Sequence, residues 1–184
     1  MSRQPPQEIR RGSFLIASPD IDEGIFYRSV VLVCEHSALG SLGVIVNKPL
    51  EIEEADGEYD PSKQVQMRVG GPSQTDQILL IQNRGFDHES SLEISDGIYL
   101  NGEGAMLIAE EEQILPDTLV CFGYGGWASG VLEREWLNRA WFLTSATSTH
   151  LFQTPPETLW QTLLREMGGK YKALSNLPEN IELN

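Results

Sequence analysis

Basic residues are scarce in this chain of 184 residues: 13 Lys and Arg stand against 27 Asp and Glu, for a formal charge of −14 and a pI of about 4.5. Proteins that hold nucleic acid usually need a basic face to displace counterions from phosphate, so direct nucleic-acid binding is a poor expectation. Cysteine is nearly absent as well. Cys34 and Cys121 are too few for a disulfide scaffold, and each lies in an apolar run, where a free thiol behaves as a small hydrophobe. No apolar run reaches the ~18 residues of a membrane span. The opening Met1-Ser2-Arg3-Gln4-Pro5-Pro6 begins no apolar stretch, so no secretory signal is expected. A cytoplasmic, membrane-free protein is the simplest expectation. Histidine is limited to His36, His88 and His150, with no C-x-x-C and no H-E-x-x-H, so neither a metal nor a cofactor is expected.

What is present describes one globular unit. Hydrophobic residues make up 40% of the chain and glycine adds 17 more, enough for a real core. Residues 1–12 read as a mobile N-terminal tail and 13–184 as a single domain. Short runs rich in β-branched residues follow the tail: Phe14–Ala17, Val30–Cys34, Val44–Val46, Val65–Val69 and Ile78–Ile81, most of them bounded by turn residues. Ile94–Leu100 and Thr118–Phe122 also read as strands. Ala105–Ile114 and Ser129–Arg139 read as helices. The clearest helix comes late: Thr154 as cap, Pro155 at the first position and Glu157 completing a capping box. Leu159, Trp160, Leu163, Leu164 and Met167 then form one apolar stripe ended by Gly168. Strands in front and helices behind make the class α+β.

Three constellations invite a chemical reading. Gly123-Tyr124-Gly125-Gly126-Trp127-Ala128 fits G-x-G-x-x-G/A after a strand and before a helix, the setting of a dinucleotide fingerprint. The ribose-binding acid expected about 20 residues later is missing, because no Asp or Glu lies between Glu135 and Glu157. A tight strand-to-helix turn packed by Trp127 accounts for the run better. Cys34 and His36, two apart on a strand, would share a face and form a thiolate pair; a buried strand cysteine beside a strand-end histidine is the commoner arrangement. Glu35 and His36 end one strand and Asn47 ends another. Pairing of those strands as neighbours would gather the three side chains at one end of the sheet. Such a group suits a small ligand or acid–base work, or simply caps the strand ends.

Taken in order, several blocks resemble the AlgH/YqgE family. They are Gly12-Ser13-Phe14-Leu15-Ile16-Ala17-Ser18-Pro19, then Tyr27-Arg28-Ser29 through Glu35-His36, Gly43-Val44-Ile45-Val46-Asn47-Lys48-Pro49, Gly70-Gly71-Pro72 and Gly123-Tyr124-Gly125-Gly126-Trp127. Leu132-Glu133, Asn138, Trp141 and Leu151-Phe152-x-x-Pro155 complete the pattern. Two positions depart from it: Ala128-Ser129-Gly130-Val131 stands where the family usually has Gly-Pro-Gly-Gln, and Ile81 stands where a histidine is common. The resemblance implies a bacterial, single α+β domain with a branched mixed β-sheet folded into a pseudo-barrel and helices packed on it, mostly from the C-terminal half. Some members carry a transcriptional-regulator designation, and the resemblance supplies no catalytic residue set.

The expectation is therefore a non-enzymatic binding or regulatory protein acting through a protein or small-molecule partner, with Glu35, His36, Asn47, Tyr124 and Trp127 as ligand-binding candidates. The alternative is a small-molecule enzyme with an acid–base site at His36 and Glu35. The acidity is patchy. Pro49–Ser62 carries −6 and Gly85–Glu133 carries −10, neither with any Lys or Arg. The first, Glu51 to Asp60, reads as a solvated loop, and both patches would repel phosphate while favouring a basic partner.

Overall fold

A computed structural model describes residues 6–50, 65–87 and 90–179. The acidic run Glu51–Asp60 and His88 lie outside the described residues. Among the described residues nine strands are formed: β1 (Ser13–Ala17), β2 (Val30–Ser37), β3 (Gly40–Ile45), β4 (Gln66–Val69), β5 (Ser73–Gln82), β6 (Leu92–Ser95), β7 (Ile98–Asn101), β8 (Thr118–Ala128) and β9 (Trp141–Ser145). Their order across the sheet is β6-β7-β5-β8-β3-β2-β1-β9, and β4 pairs with β8 off this path.

The branch lies in β8. Its first half, Leu119–Phe122, is flanked by β5 antiparallel and by β4 parallel; its second half, Gly125–Ala128, pairs with β3. The sheet is thus mixed and branched, and it curls into a half-barrel with five helices packed on it, which makes the fold α+β. Its interior is filled from both halves: Phe14, Ile16, Leu32, Cys34 and Val44 on one side, Ile81, Ile98, Leu119 and Cys121 on the other. Helices α3 (Ser148–Phe152) and α4 (Pro156–Met167) close that interior with Leu151 and the expected stripe Leu159, Trp160, Leu163 and Leu164. The Trp160 indole donates to the Ala17 carbonyl at 2.9 Å, locking α4 to β1. On the outer face, α2 (Val131–Leu137) and β9 cover Leu15, Val31, Val33 and Ile45, while α1 (Ala105–Glu111) lies with Leu80 and Val120. Helix α5 (Gly169–Leu174) follows α4. No helix among the described residues is long and apolar enough to cross a membrane.

Several expectations are corrected. Gly123–Ala128 is not a strand-to-helix turn but the second half of β8, so no helix N-terminus faces a phosphate there. Its glycines serve a crossing of backbones. A Cβ on Gly71 would lie 2.1 Å from the Tyr124 carbonyl carbon, and Gly123, at φ +76°, abuts the Gly71 carbonyl. Ile94–Leu100 is a hairpin folded at Asp96-Gly97 rather than one strand. Helix α4 starts one residue late, at Pro156, with no side-chain cap; Thr154 instead directs its hydroxyl to the Thr149 carbonyl behind it. Ahead of β1, Ile9 is buried in the outer cluster and the Gly12 amide donates to the Val33 carbonyl.

Candidate functional site

Strands β2 and β3 form a hairpin whose register decides the site. Val31 faces Ile45, Leu32 faces Val44 and Val33 faces Gly43; then Glu35 faces Leu42 and His36 faces Ser41. Cys34 is the extra residue of a β-bulge. A bulge resets the alternation of side chains. Cys34 therefore stays in the interior with Leu32, whereas His36 emerges on the outer face with Ser41, whose other neighbour is Trp127 of β8. The expected sharing of a face by Cys34 and His36 is overturned, and the thiolate pair with it. Burial pushes the Cys34 thiol far above its ordinary range and the Cys121 thiol up to about 12.

On the outer face a shallow cleft of about 420 Å³ opens beside the hairpin tip, lined by Arg11, Glu35, His36, Leu39, Ser41 and Trp127 among others. His36 Nδ1 lies 2.7 Å from Ser41 Oγ, and Nε2 lies 3.3 Å from Glu133 Oε1 on α2. The carboxylate on His36 is thus Glu133 and not Glu35, which is exposed at the cleft edge. Arg11 Nε donates to the Cys34 carbonyl at the bulge. Leu39, at the tip, is 91% exposed.

Trp127 is held firmly. Its indole N–H and that of Trp141 both donate to Glu135 Oε2, at 3.0 and 2.8 Å. The two rings pack edge-on to each other at 6.3 Å, and Phe26 packs against both. Gly43 and Gly125 leave the space that the Trp127 ring covers: a Cβ on Gly125 would come within 2.9 Å of it. The Gly-Gly-Trp block is a flat sheet surface with an indole laid across it.

The other two candidates lie elsewhere. Because β2 and β3 run antiparallel, Asn47 falls beside Val30, at the opposite end of the hairpin from His36. Its amide is fully committed: Oδ1 accepts from the Val30 amide at 2.7 Å and Nδ2 donates to the Arg28 carbonyl at 2.9 Å. Tyr124 pairs with Ser73 and packs against the interior cluster, on the face of β8 away from Trp127. Glu35, His36 and Trp127 are brought together; Asn47 and Tyr124 are not. Ser41 and Arg11 line the cleft, and Glu133 pairs with His36, without having been expected from sequence.

The chain builds the hydroxyl–imidazole–carboxylate arrangement a second time. His150 Nδ1 lies 2.8 Å from Thr147 Oγ1 and Nε2 lies 2.9 Å from Glu166 Oε2. There the threonine is the N-cap of α3, accepting from the His150 amide, so that chain fastens α3 to α4. Among the described residues no group of three His, Cys, Asp or Glu converges as a metal site would require.

A family model described as AlgH-like matches residues 14–172. A UPF0301 protein of Chlamydia abortus is 43% identical over 190 residues, covering the whole of both chains. The fold matches that of a Corynebacterium diphtheriae crystal structure with a TM-score of 0.78 at 20% identity, over 95% of each chain. It also matches the solution structure of the AlgH protein of Pseudomonas aeruginosa with a TM-score of 0.71 at 25% identity, over 97% of this chain and 100% of that one.

Proposed function

The chain belongs to the AlgH-like family, and on that premise we propose that it is a non-enzymatic cytoplasmic binding protein. It engages a protein or small-molecule partner through the His36–Trp127 cleft, and any regulation it exerts is indirect, through that partner and not through nucleic acid. The observation that carries this reading is the state of the cleft's groups. Trp127 is immobilised by Glu135, while Glu35 and Leu39 project at the rim, so a rigid aromatic floor is bordered by a charge and an apolar tip. A fixed indole beside exposed polar and apolar groups is the composition of a recognition surface.

Catalysis is less well supported by the same geometry. Ser41 sits in β3, paired with His36 of β2 on one side and Trp127 of β8 on the other, inside a ladder rather than on a loop that would turn a pair of N–H groups towards an oxyanion. The repeat of the same arrangement at His150, where the threonine caps α3, supports a fastening role for it. One observation favours the enzymatic alternative: the 2.7 Å contact of Ser41 with His36, with Glu133 in the orienting role first expected of Glu35.

The two readings separate in one set of measurements. Isotope-labelled protein is titrated with a metabolite collection, and immobilised protein is challenged with bacterial lysate. Binding that perturbs residues 35–42 and Trp127, and that is lost in the surface variants Leu39→Glu and Glu35→Lys, is expected. No binding in either format sinks the proposal. A turnover abolished by His36→Ala and Ser41→Ala, with the melting temperature nearly unchanged, installs the enzymatic reading in its place.

A further inference from the structure

At the end of the hairpin remote from the cleft, Arg28 and Lys48 flank a pocket of about 260 Å³ whose walls include Tyr27, Pro49, Pro156 and Trp160. Both cations are held in place. Arg28 has φ +49°, a left-handed conformation unusual outside glycine, and its carbonyl accepts from the Asn47 amide. Its guanidinium lies 4.6 Å from the Trp160 ring centroid, with the side chain 12% exposed. Lys48 Nζ donates to the Tyr27 carbonyl and lies 5.7 Å from the Tyr27 ring centroid. Burial lowers the Lys48 pKa, Glu179 acts against that shift and Arg28 adds to it. Two neighbouring cations drawn from water are unfavourable unless an anion compensates them.

The compensation present is slight. Arg28 Nη2 donates to the carbonyls of Leu177 and Pro178, both at 2.7 Å, which draws the C-terminal segment across the pocket. The Glu179 carboxylate then stands 3.9 Å from Arg28 Nη1, with its side chain 74% exposed. Among the described residues no carboxylate lies within 4 Å of Lys48 Nζ. One loosely held carboxylate serves two cations.

We propose that Arg28 and Lys48 form a binding site for a compact organic carboxylate, and that Glu179 occupies this site as a displaceable internal counterion. With Nη2 engaged by the two carbonyls, Arg28 Nη1 is left to face a ligand carboxylate, and the Lys48 ammonium beside it takes the second charge contact. Tyr27, Trp160 and the two prolines supply apolar walls for the ligand body. Glu157 at the rim and the net charge of −14 weigh against a dianionic phosphate. This site is separate from the His36 cleft and stands or falls independently of the function proposed there.

The test is calorimetric titration of the full chain with benzoate, with phenyl phosphate and neutral benzyl alcohol as comparison ligands, while the Trp160 indole resonance reports the location. Glu179→Gln removes the internal competitor and is expected to bind benzoate roughly two- to fivefold more tightly than the unaltered chain, the scale on which one exposed ion pair competes. Lys48→Met is expected to lose binding, phenyl phosphate to bind more weakly than benzoate, and benzyl alcohol not to bind. Equal affinity with and without the Glu179 carboxylate, benzoate binding that survives Lys48→Met, tighter binding of phenyl phosphate, or no saturable binding by Glu179→Gln overturns the proposal. Should Lys48→Met fail to fold, the Glu179→Gln comparison and the preference for benzoate over benzyl alcohol decide it.

Discussion

Cys34 and Cys121 face into the same interior cluster, and burial of each thiolate is the largest cause of its raised pKa. The consequence for stability has a definite sign. A thiol whose folded-state pKa lies above its unfolded value contributes full stability below the ordinary pKa of 9.0. That contribution is lost as the pH rises from there towards the folded value, because only the unfolded chain releases the proton. The free energy of unfolding should therefore fall above pH 9 by up to about 1.4 kcal/mol per pH unit for each thiol. Chemical denaturation at a series of alkaline pH values checks this, and a variant with both cysteines replaced by alanine should lose that part of the slope. Below pH 9, neither thiol should react with a disulfide reagent until the chain unfolds. Rapid modification of Cys34 in the native state would contradict the packing described here. The same residue shows where sequence reading stops. That Cys34 is buried follows from its apolar run, but the bulge it creates does not, because Val30–Cys34 is apolar throughout and has no alternation in which a change of phase could show. Everything that turned on parity therefore came out differently: His36 left the face of Cys34, and its carboxylate became Glu133, a residue distant in sequence.

Strands and helices were legible where a single period ran uninterrupted. The stripe of α4 buries as its 3.6-residue spacing requires, and the β-branched runs of β1, β2, β3, β4 and β5 all pair. Legibility failed where glycine has two uses. In Gly123–Ala128 a turn and a crowded strand look alike in one dimension, and only the approach of Gly70-Gly71 to β8 distinguishes them. Antiparallel pairing, likewise invisible to composition, carried Asn47 away from His36. The crossing makes a sharp mutational claim. A Cβ at Gly71 would stand 2.1 and 2.3 Å from the carbonyl carbon and oxygen of Tyr124, so backbone rather than a flexible side chain must move. Gly71→Ala should lower stability by about 3 kcal/mol, at the upper end of ordinary overpacking. Gly24→Ala is a control in open space, where only the strain of its φ of +78° is incurred. Thermal or denaturant unfolding of the two variants separates the effects. A Gly71→Ala protein as stable as Gly24→Ala would mean that the branch of the sheet at β8 is looser than its geometry implies.

Across the whole molecule, charge is segregated rather than spread. Gly85–Glu133 holds ten acids and no Lys or Arg, and its described residues include the β6–β7 hairpin, α1, β8 and the start of α2, with Arg84 paired to Glu112 at the far end of α1. Several cations are spent locally. Arg68 is buried and donates to the Val46 and Met67 carbonyls, Arg11 serves the bulge, and Arg28 holds the C-terminal segment. Binding of duplex DNA needs several cations free to displace condensed counterions, and its affinity then falls steeply with salt. A chain of net charge −14 in which Arg11, Arg28 and Arg68 hold its own backbone has a long-range field that repels phosphate. Electrophoretic retention of duplex DNA should therefore be absent even at an ionic strength of ~0.01 M, where the screening length is about 30 Å and any attraction would be strongest. Salt-sensitive retention under those conditions would replace the indirect route to regulation with a direct one.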